Sequence, residues 1–260
     1  MPSHGESRLP TDIELRGYAA PAGLLADRVI LITGAGGGLG SALARTCAGL
    51  GANVLLCGRN VRRLESVYDS ILAAGGPRPS IAPLDMERAD ASHYTALADA
   101  VRNEFGRLDG LVHAAALLGE RAPIDHYDVV TWLKVMHVNV NAAFILTQAL
   151  LPMLRVSQDA SIVFTTSGVS VRGRAYWGAY AASKFAVEGL MQVLADETDT
   201  ATSIRVNSVN PGGIRTSMRA KAFPGEVPET LPTPESVLGP FLYLLGPDGR
   251  GTTGRRFDAQ

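Results

Sequence analysis

The chain has 260 residues, 46% of them apolar, which is enough for one large core and falls within the size of a single α/β domain. Lys plus Arg number 24 against 25 Asp plus Glu, a formal net charge of -1, so no basic excess favours nucleic acid or an anionic membrane surface as a partner. No stretch approaches eighteen uninterrupted apolar residues, and Cys47 and Cys57 fall on a predicted helix and strand, so a cytoplasmic protein with reduced thiols is expected.

Residues 1–26 are polar and carry Pro2, Pro10 and Pro21, with no apolar leader before Asp27. They are expected as a flexible or draped arm, with residues 27–260 as one nucleotide-binding domain. Arg28-Val29-Ile30-Leu31-Ile32 reads as a buried strand running into Thr33-Gly34-Ala35-Gly36-Gly37-Gly38-Leu39-Gly40, after which Ser41-Ala42-Leu43-Ala44-Arg45 is helical. A strand, a glycine-rich turn and a helix start, in that order, build a phosphate site, because the backbone approaches closely and helix N–H groups face the anion. Asn53-Val54-Leu55-Leu56-Cys57 follows as a second strand, and the context suits a dinucleotide.

Strand-like runs recur over 29–32, 53–57, 80–83, 110–113, 161–165, 204–209 and 255–258, the first six separated by helical patterns. That alternation predicts a Rossmann-like, doubly wound parallel sheet of about seven strands in a single domain. Segments 128–154 and 178–196 are broadly apolar helical patterns, more than one sheet face needs. The Pro- and Gly-rich loop over 216–234 follows a sheet strand at the edge where such sheets bind ligands, and is placed to cover a substrate.

Two features carry chemistry. Tyr180 and Lys184 are four residues apart on a predicted helix, so the ammonium can sit beneath the phenol and favour its ionised form. Ser167 lies thirteen residues before the tyrosine. The end of the second strand selects the cofactor: a carboxylate there would accept from the adenosine ribose and repel a 2'-phosphate, but the chain reads Cys57-Gly58-Arg59-Asn60, with a guanidinium able to fork onto phosphate. NADP(H) is expected over NAD(H). His4, His93, His113, His126 and His137 show no paired-ligand spacing, so no metal is implied.

Together these residues resemble the classical short-chain dehydrogenase/reductase family, whose Thr-Gly-x-x-x-Gly-x-Gly turn matches Thr33, Gly34, Gly38 and Gly40. The likeness runs from about Asp27 to the carboxyl end. Asn139-Val140-Asn141-Ala142, the stretch around Tyr180, Gln192-Val193-Leu194-Ala195-Asp196-Glu197 and Asn210-Pro211-Gly212-Gly213 are similar to the YciK-like branch.

The resemblance implies a catalytic set of Asn139, Ser167, Tyr180 and Lys184. It implies a cofactor site of Gly34, Gly36, Gly37, Gly38, Leu39 and Gly40, with Arg59, Asp85 and Met86 at the adenosine end. Ala114, Ala115, Ala116, Tyr180, Lys184, Pro211, Gly212, Ile214 and Thr216 would lie towards the nicotinamide. Asp85 would accept from the adenine amino group, and Asn139 would position a water linking Lys184 to solvent. Where the family usually reads Asn-Asn-Ala-Gly, this chain has His113-Ala114-Ala115-Ala116, which removes an amide and adds a methyl group.

The reaction implied is hydride transfer between the nicotinamide and a small carbonyl or secondary alcohol, with Tyr180 as acid-base, in a homodimer or homotetramer built on the two apolar helices. A non-catalytic NADP(H)-binding sensor or interaction protein is the alternative, and a transient-redox isomerase ranks last. Trp177, Tyr176, Val169, Leu117, Leu118 and the 218–223 segment suggest a partly apolar substrate pocket, whereas Arg172, Arg174, Arg215 and Arg219 would suit an acidic one.

Overall fold

The computed structural model describes residues 10–199 and 203–260; expectations that concern residues 1–9, His4 among them, lie outside it. Seven strands, β1 (Val29–Thr33), β2 (Asn53–Gly58), β3 (Ser80–Pro83), β4 (Gly110–His113), β5 (Ala160–Thr165), β6 (Ile204–Asn210) and β7 (Arg256–Asp258), form one sheet in the order β3-β2-β1-β4-β5-β6-β7. Every pairing is parallel. The helices are α1 (Asp12–Arg16), α2 (Gly38–Gly49), α3 (Val61–Ala73), α4 (Ala91–Phe105), α5 (Val129–Met136), α6 (Ala142–Val156), α7 (Gly178–Asp199), α8 (Ser217–Ala222) and α9 (Gly239–Leu245).

The near-continuous apolar strands are explained by helices on both faces, since successive strand side chains point opposite ways. Ile30 and Ile32 join a core with Leu43 of α2, Leu64 of α3 and Phe241 of α9. Val29 and Leu31 join the other, with Tyr94 of α4, Leu146 of α6 and Met191 of α7. Cys47 and Cys57 belong to different cores, which keeps the thiols apart, and burial pushes each up to about 12.

Two local differences from the sequence reading have physical causes, and one of its alternatives is decided. The apolar segment over 128–154 is one helical stretch interrupted by a π turn at His137–Asn141, which widens the coil between α5 and α6. The loop over 216–234 contains α8, capped by the Thr216 hydroxyl accepting from the Arg219 N–H. Residues 10–26 are draped rather than loose. Thr11 and Glu14 close a capping box on α1, and Leu15 is 2% exposed against α9. A Cβ on Gly239 would lie 2.3 Å from the Leu15 carbonyl oxygen, so only glycine admits α1 there.

The stretch Val129–Val156 is long and apolar enough to cross a bilayer by length and composition, with 33% of its most apolar window buried. It packs through α6 on α4 and through α5 on α7. Its outer side leaves Val129, Val130, Leu133 and Phe144 exposed, and α7 adds Phe185 and Val193.

Truncating the draped segment's anchor tests this packing. Leu15→Ala should cost about 2–4 kcal/mol of unfolding free energy in urea titration; a loss below about 0.5 kcal/mol would mean that α1 adds nothing to the domain.

Candidate active site

The connections leaving the paired carboxyl ends of β1 and β4 run in opposite directions across the sheet, to β2 and to β5, and a cavity of about 540 Å³ opens there. It is lined at one end by Gly34 and residues 36–40, by Arg59 and by Asp85 and Met86. Ala114, Ala115, Ala116, Pro211, Gly212, Ile214 and Thr216 line its middle, and Ser167, Tyr180 and Lys184 its far end. The sequence-derived residues are thus brought together, with one exception.

That exception is Asn139, which sits in the π turn behind the cavity wall. Its Oδ1 accepts from the Leu117 N–H (2.7 Å), and its Nδ2 donates to the Leu117 carbonyl (2.9 Å) and to Ser183 Oγ (2.9 Å). Its side chain therefore fastens the loop following β4 onto α7.

The floor is made of backbone. Gly34 adopts φ 68, and a Cβ there would lie 2.9 Å from the Ala115 N and Cα. A Cβ on Gly38 would lie 2.7 Å from Thr216 Cγ2. These glycines leave a channel whose walls carry N–H groups, and α2 is preceded by Gly37, which offers no side-chain cap, so its first-turn donors are free for an anion. A dinucleotide fits this cradle, which side chains would fill. The buried hydroxyls of Thr165 and Thr166, both lining the cavity, lack a hydrogen-bond partner among the described residues.

The His113 to Ala116 departure is compensated by Thr33. Its Oγ1 accepts from the N–H groups of Ala114 (3.0 Å) and Ala115 (3.1 Å) and donates to the Val112 carbonyl (3.3 Å). The backbone is held without an asparagine amide. His113 points away into the core, stacked on Phe164 at 4.7 Å, with Nε2 2.8 Å from Thr147 Oγ1. Because that hydroxyl donates to the Ala143 carbonyl, it accepts from His113, which places the imidazole proton on Nε2. Burial, with the Lys184 charge adding to it, lowers His113 to about 3. The imidazole is neutral and structural.

At the adenosine end, Asn60 caps α3 by accepting from the Arg63 N–H (3.1 Å). Arg59 stands free of the fold, its side chain 61% exposed, and meets Glu87 at 3.6 Å. Glu87 is also held by Lys134 at 2.9 Å, and that contact, more than Arg59, keeps its carboxyl below the usual range.

At the chemical end, Ser167 lies close enough to the Tyr180 phenol to pull its pKa down, and Lys184 Nζ donates to the Thr165 carbonyl (2.7 Å) while lying 5.6 Å from the Tyr180 ring centre. The expectation that Lys184 depresses the Tyr180 pKa is corrected. Burial dominates and raises the phenol to about 12 against the pull of Ser167, because the ammonium is turned to Thr165 rather than to the phenol. The same burial lowers Lys184 to about 8, with Glu188 opposing it.

Glu188, one turn beyond Lys184, accepts from Ser170 Oγ (3.0 Å) and Ser208 Oγ (2.7 Å) and pairs with Arg256 (3.2 Å). Its i, i+4 spacing from Lys184 was visible in the sequence but carried no role there. Neither Thr33 Oγ1 as a brace nor the Glu87–Lys134 pair was anticipated.

On the substrate side, Leu118, Trp177 and Met218 line the cavity, whereas the Tyr176 ring is 54% exposed at φ 71 and lies outside it. Arg215 donates to the carbonyls of Pro228, Glu229 and Leu231 and so braces the segment after α8. Arg219 pairs with Glu226 through two contacts of 2.6 Å. Arg172 and Arg174 are exposed. Among the described residues no group of three His, Cys, Asp or Glu side chains is arranged to hold a metal.

The short chain dehydrogenase family model matches residues 28–227. A solved structure from Pseudomonas syringae shares 52% identity, covers 94% of this chain and 98% of its own, and superposes with a TM-score of 0.92. The uncharacterized oxidoreductase YciK of Escherichia coli (strain K12) is 49% identical over 94% of this chain and 96% of its own length. A structure from Escherichia coli CFT073 complexed with NADPH is 49% identical, covers 92% of this chain and 100% of its own, and has a TM-score of 0.90.

The buried imidazole makes a pH prediction. Its folded pKa is depressed from 6.5 to about 3, so the unfolded chain binds the extra proton, and stability is present above pH 6.5 and lost as pH falls towards about 3. Between about pH 6.5 and 5, urea-unfolding free energy should decline less steeply in His113→Gln than in the parent. Equal slopes would show that His113 charges freely in the fold.

Proposed function

The chain belongs to the short-chain dehydrogenase family, and from that membership we propose that it moves hydride between NADP(H) and a carbonyl or secondary alcohol, with Tyr180 as acid-base. The supporting observation is that one cavity joins a glycine-built anion cradle and Arg59 to Ser167, Tyr180 and Lys184. NADPH in a relative 49% identical to this chain agrees with Arg59 standing where a ribose-binding carboxylate would exclude phosphate.

In this reading Gly34 and residues 36–40 hold the pyrophosphate with the first-turn N–H groups of α2, and Arg59 meets the 2'-phosphate. Asp85 accepts from the adenine amino group, and Pro211, Gly212, Ile214 and Thr216 flank the nicotinamide. The bound cofactor supplies or accepts the hydride.

The protein's own task is the proton. Reduction adds a proton to the carbonyl oxygen, and Tyr180 donates it while Ser167 donates a hydrogen bond to the same oxygen and fixes its position. A phenol near 12 stays protonated across the physiological range, so Tyr180 is always loaded for reduction. To stabilise the tyrosinate left behind, Lys184 must turn from the Thr165 carbonyl, where its Nζ rests 5.6 Å from the Tyr180 ring centre, towards the phenol oxygen. Asn139 keeps α7 and the loop after β4 in place for this exchange.

The non-catalytic alternative drew its support from the His113 to Ala116 stretch, and Thr33 removes that support by holding the backbone itself. The exposed apolar residues of α5, α6 and α7 suit pairing with a second copy, giving a homodimer or homotetramer. The buried, reduced thiols suit the cytoplasm.

Parallel titrations with NADPH and NADH at equal ionic strength test the cofactor assignment. NADPH should bind more tightly, and Arg59→Ala should weaken NADPH by about tenfold or more while moving NADH little. An unchanged preference in Arg59→Ala would remove the phosphate-reading role.

Chemistry is tested by Tyr180→Phe, which deletes only the proton donor. Turnover of a carbonyl panel should drop by about 10²–10⁴-fold with NADPH binding nearly intact. Parental turnover in this variant would sink the acid-base assignment.

A further inference from the structure

We propose that the substrate is an anionic carbonyl compound in which an apolar spacer separates the reacting carbonyl from a carboxylate or phosphate; this deepens the dehydrogenase reading and rests on it. The inference comes from a cationic cluster that adjoins the cavity beyond Trp177 and Ala222, and of which Arg219 lines the cavity itself. There the guanidiniums of Arg219, Arg121 and Arg174 lie 3.9, 4.9 and 5.8 Å from the centre of a single ring, Phe223. Lys221, on the same short helix as Arg219, lines the cavity too.

Only one of these four cations is matched. Glu226 pairs with Arg219, whereas no carboxylate among the described residues pairs with Arg121, Arg174 or Lys221. Like charges gathered this closely repel, and the arrangement is most favourable when an anion from outside sits among them.

Arg121 is held in place rather than loosely solvated. It donates to the Ala222 carbonyl, and its guanidinium plane lies over both Trp177 (5.2 Å) and Phe223 (4.9 Å). That is its one hydrogen bond among the described residues, so most of the five donors of a guanidinium are left for a forked contact with carboxylate or phosphate.

Distance selects the spacer. Trp177 is 5.9 Å ring-to-ring from Tyr180 and 5.7 Å from Phe223, so the cationic mouth stands two aromatic steps from the reacting oxygen. Leu118, Trp177, Met218 and Ala222 wall the intervening path with apolar surface. A carbonyl at Tyr180, a run of methylenes along these residues and an anion at Arg121 fill the site in that order.

The test compares three methyl ketones of one chain length with NADPH: the ω-carboxylate, the ω-phosphate and the methyl ester of the carboxylate. At low ionic strength, kcat/KM for at least one anion should exceed that for the ester by about tenfold or more, and the excess should shrink as salt is added. In Arg121→Gln the anion-to-ester ratio should fall towards one, and Arg121→Lys should restore part of it, with NADPH titration reporting that the nucleotide end is intact.

The relative rates of the two anions tell a carboxylate preference from a phosphate one. An ester reduced as well as either anion, or a preference that persists in Arg121→Gln, overturns the proposal. Reduction of neutral ketones without either anion overturns it while leaving the dehydrogenase reading standing. Absence of any carbonyl turnover by NADPH-loaded protein removes that reading and this one together.

Discussion

Everything at the chemical end depends on how α7 is seated against the carboxyl ends of β5 and β6. Tyr180, Lys184 and Glu188 follow at four-residue intervals, so they share a face. Lys184 is held to the Thr165 carbonyl at the end of β5, two residues before Ser167, and Glu188 to Ser170 and to Ser208 of β6. Ser183 donates to the Tyr180 carbonyl and accepts from Asn139, which ties the helix to the opposite wall. The seat places serine, phenol and ammonium together without any of them lying on a long free loop. It also buries them, and burial works against the charge on both Tyr180 and Lys184. Only when Lys184 turns from the Thr165 carbonyl towards the phenol does a phenolate–ammonium attraction offset part of both penalties, an attraction larger in a poorly solvated site than in water.

The nucleotide end follows a different logic. Its shape comes from the absence of side chains at Gly34 and Gly38 and from one hydroxyl, Thr33 Oγ1, that holds two successive N–H groups. Backbone-built surfaces tolerate replacement of neighbouring side chains, which is why three alanines after His113 leave the channel in place. His113 itself was free to become a core residue once it no longer faced the ligand, and its hydrogen bond to Thr147 with its stacking on Phe164 uses it in that way.

Much of this was legible in the sequence because it is local. The central strands stand out as apolar runs, β1, the glycine turn and α2 are consecutive, and Tyr180 and Lys184 are one turn apart on one helix. What was not legible depends on contacts between distant residues. The π turn at His137–Asn141 is written in no residue pattern, since it reflects how Asn139 must reach Leu117 and Ser183. The correction to the Tyr180 pKa arises from three-dimensional burial, which a four-residue spacing cannot report. The draping of α1 requires Gly239, more than two hundred residues away, to lack a Cβ. Arg215 and Arg219 looked alike as candidate ligand contacts, yet the fold commits the first to three carbonyls and the second to Glu226.

The two ends of the cavity are therefore under separate structural control. The nucleotide end is set by backbone and by strands in the middle of the sheet, where a change would disturb both cores. The substrate end is set by α8, by the segment after it and by Arg121, which reaches Ala222 across 101 residues of sequence and belongs to neither sheet nor helix. Arg215 braces that outer layer through carbonyls alone, so the residues around it can vary without loss of the brace. Specificity can then change by substitutions at the mouth while the Ser167, Tyr180 and Lys184 geometry, fixed by the seat of α7, stays as it is. A site divided in this way keeps one hydride chemistry and leaves the choice of substrate to a few side chains whose neighbours in space are not their neighbours in sequence.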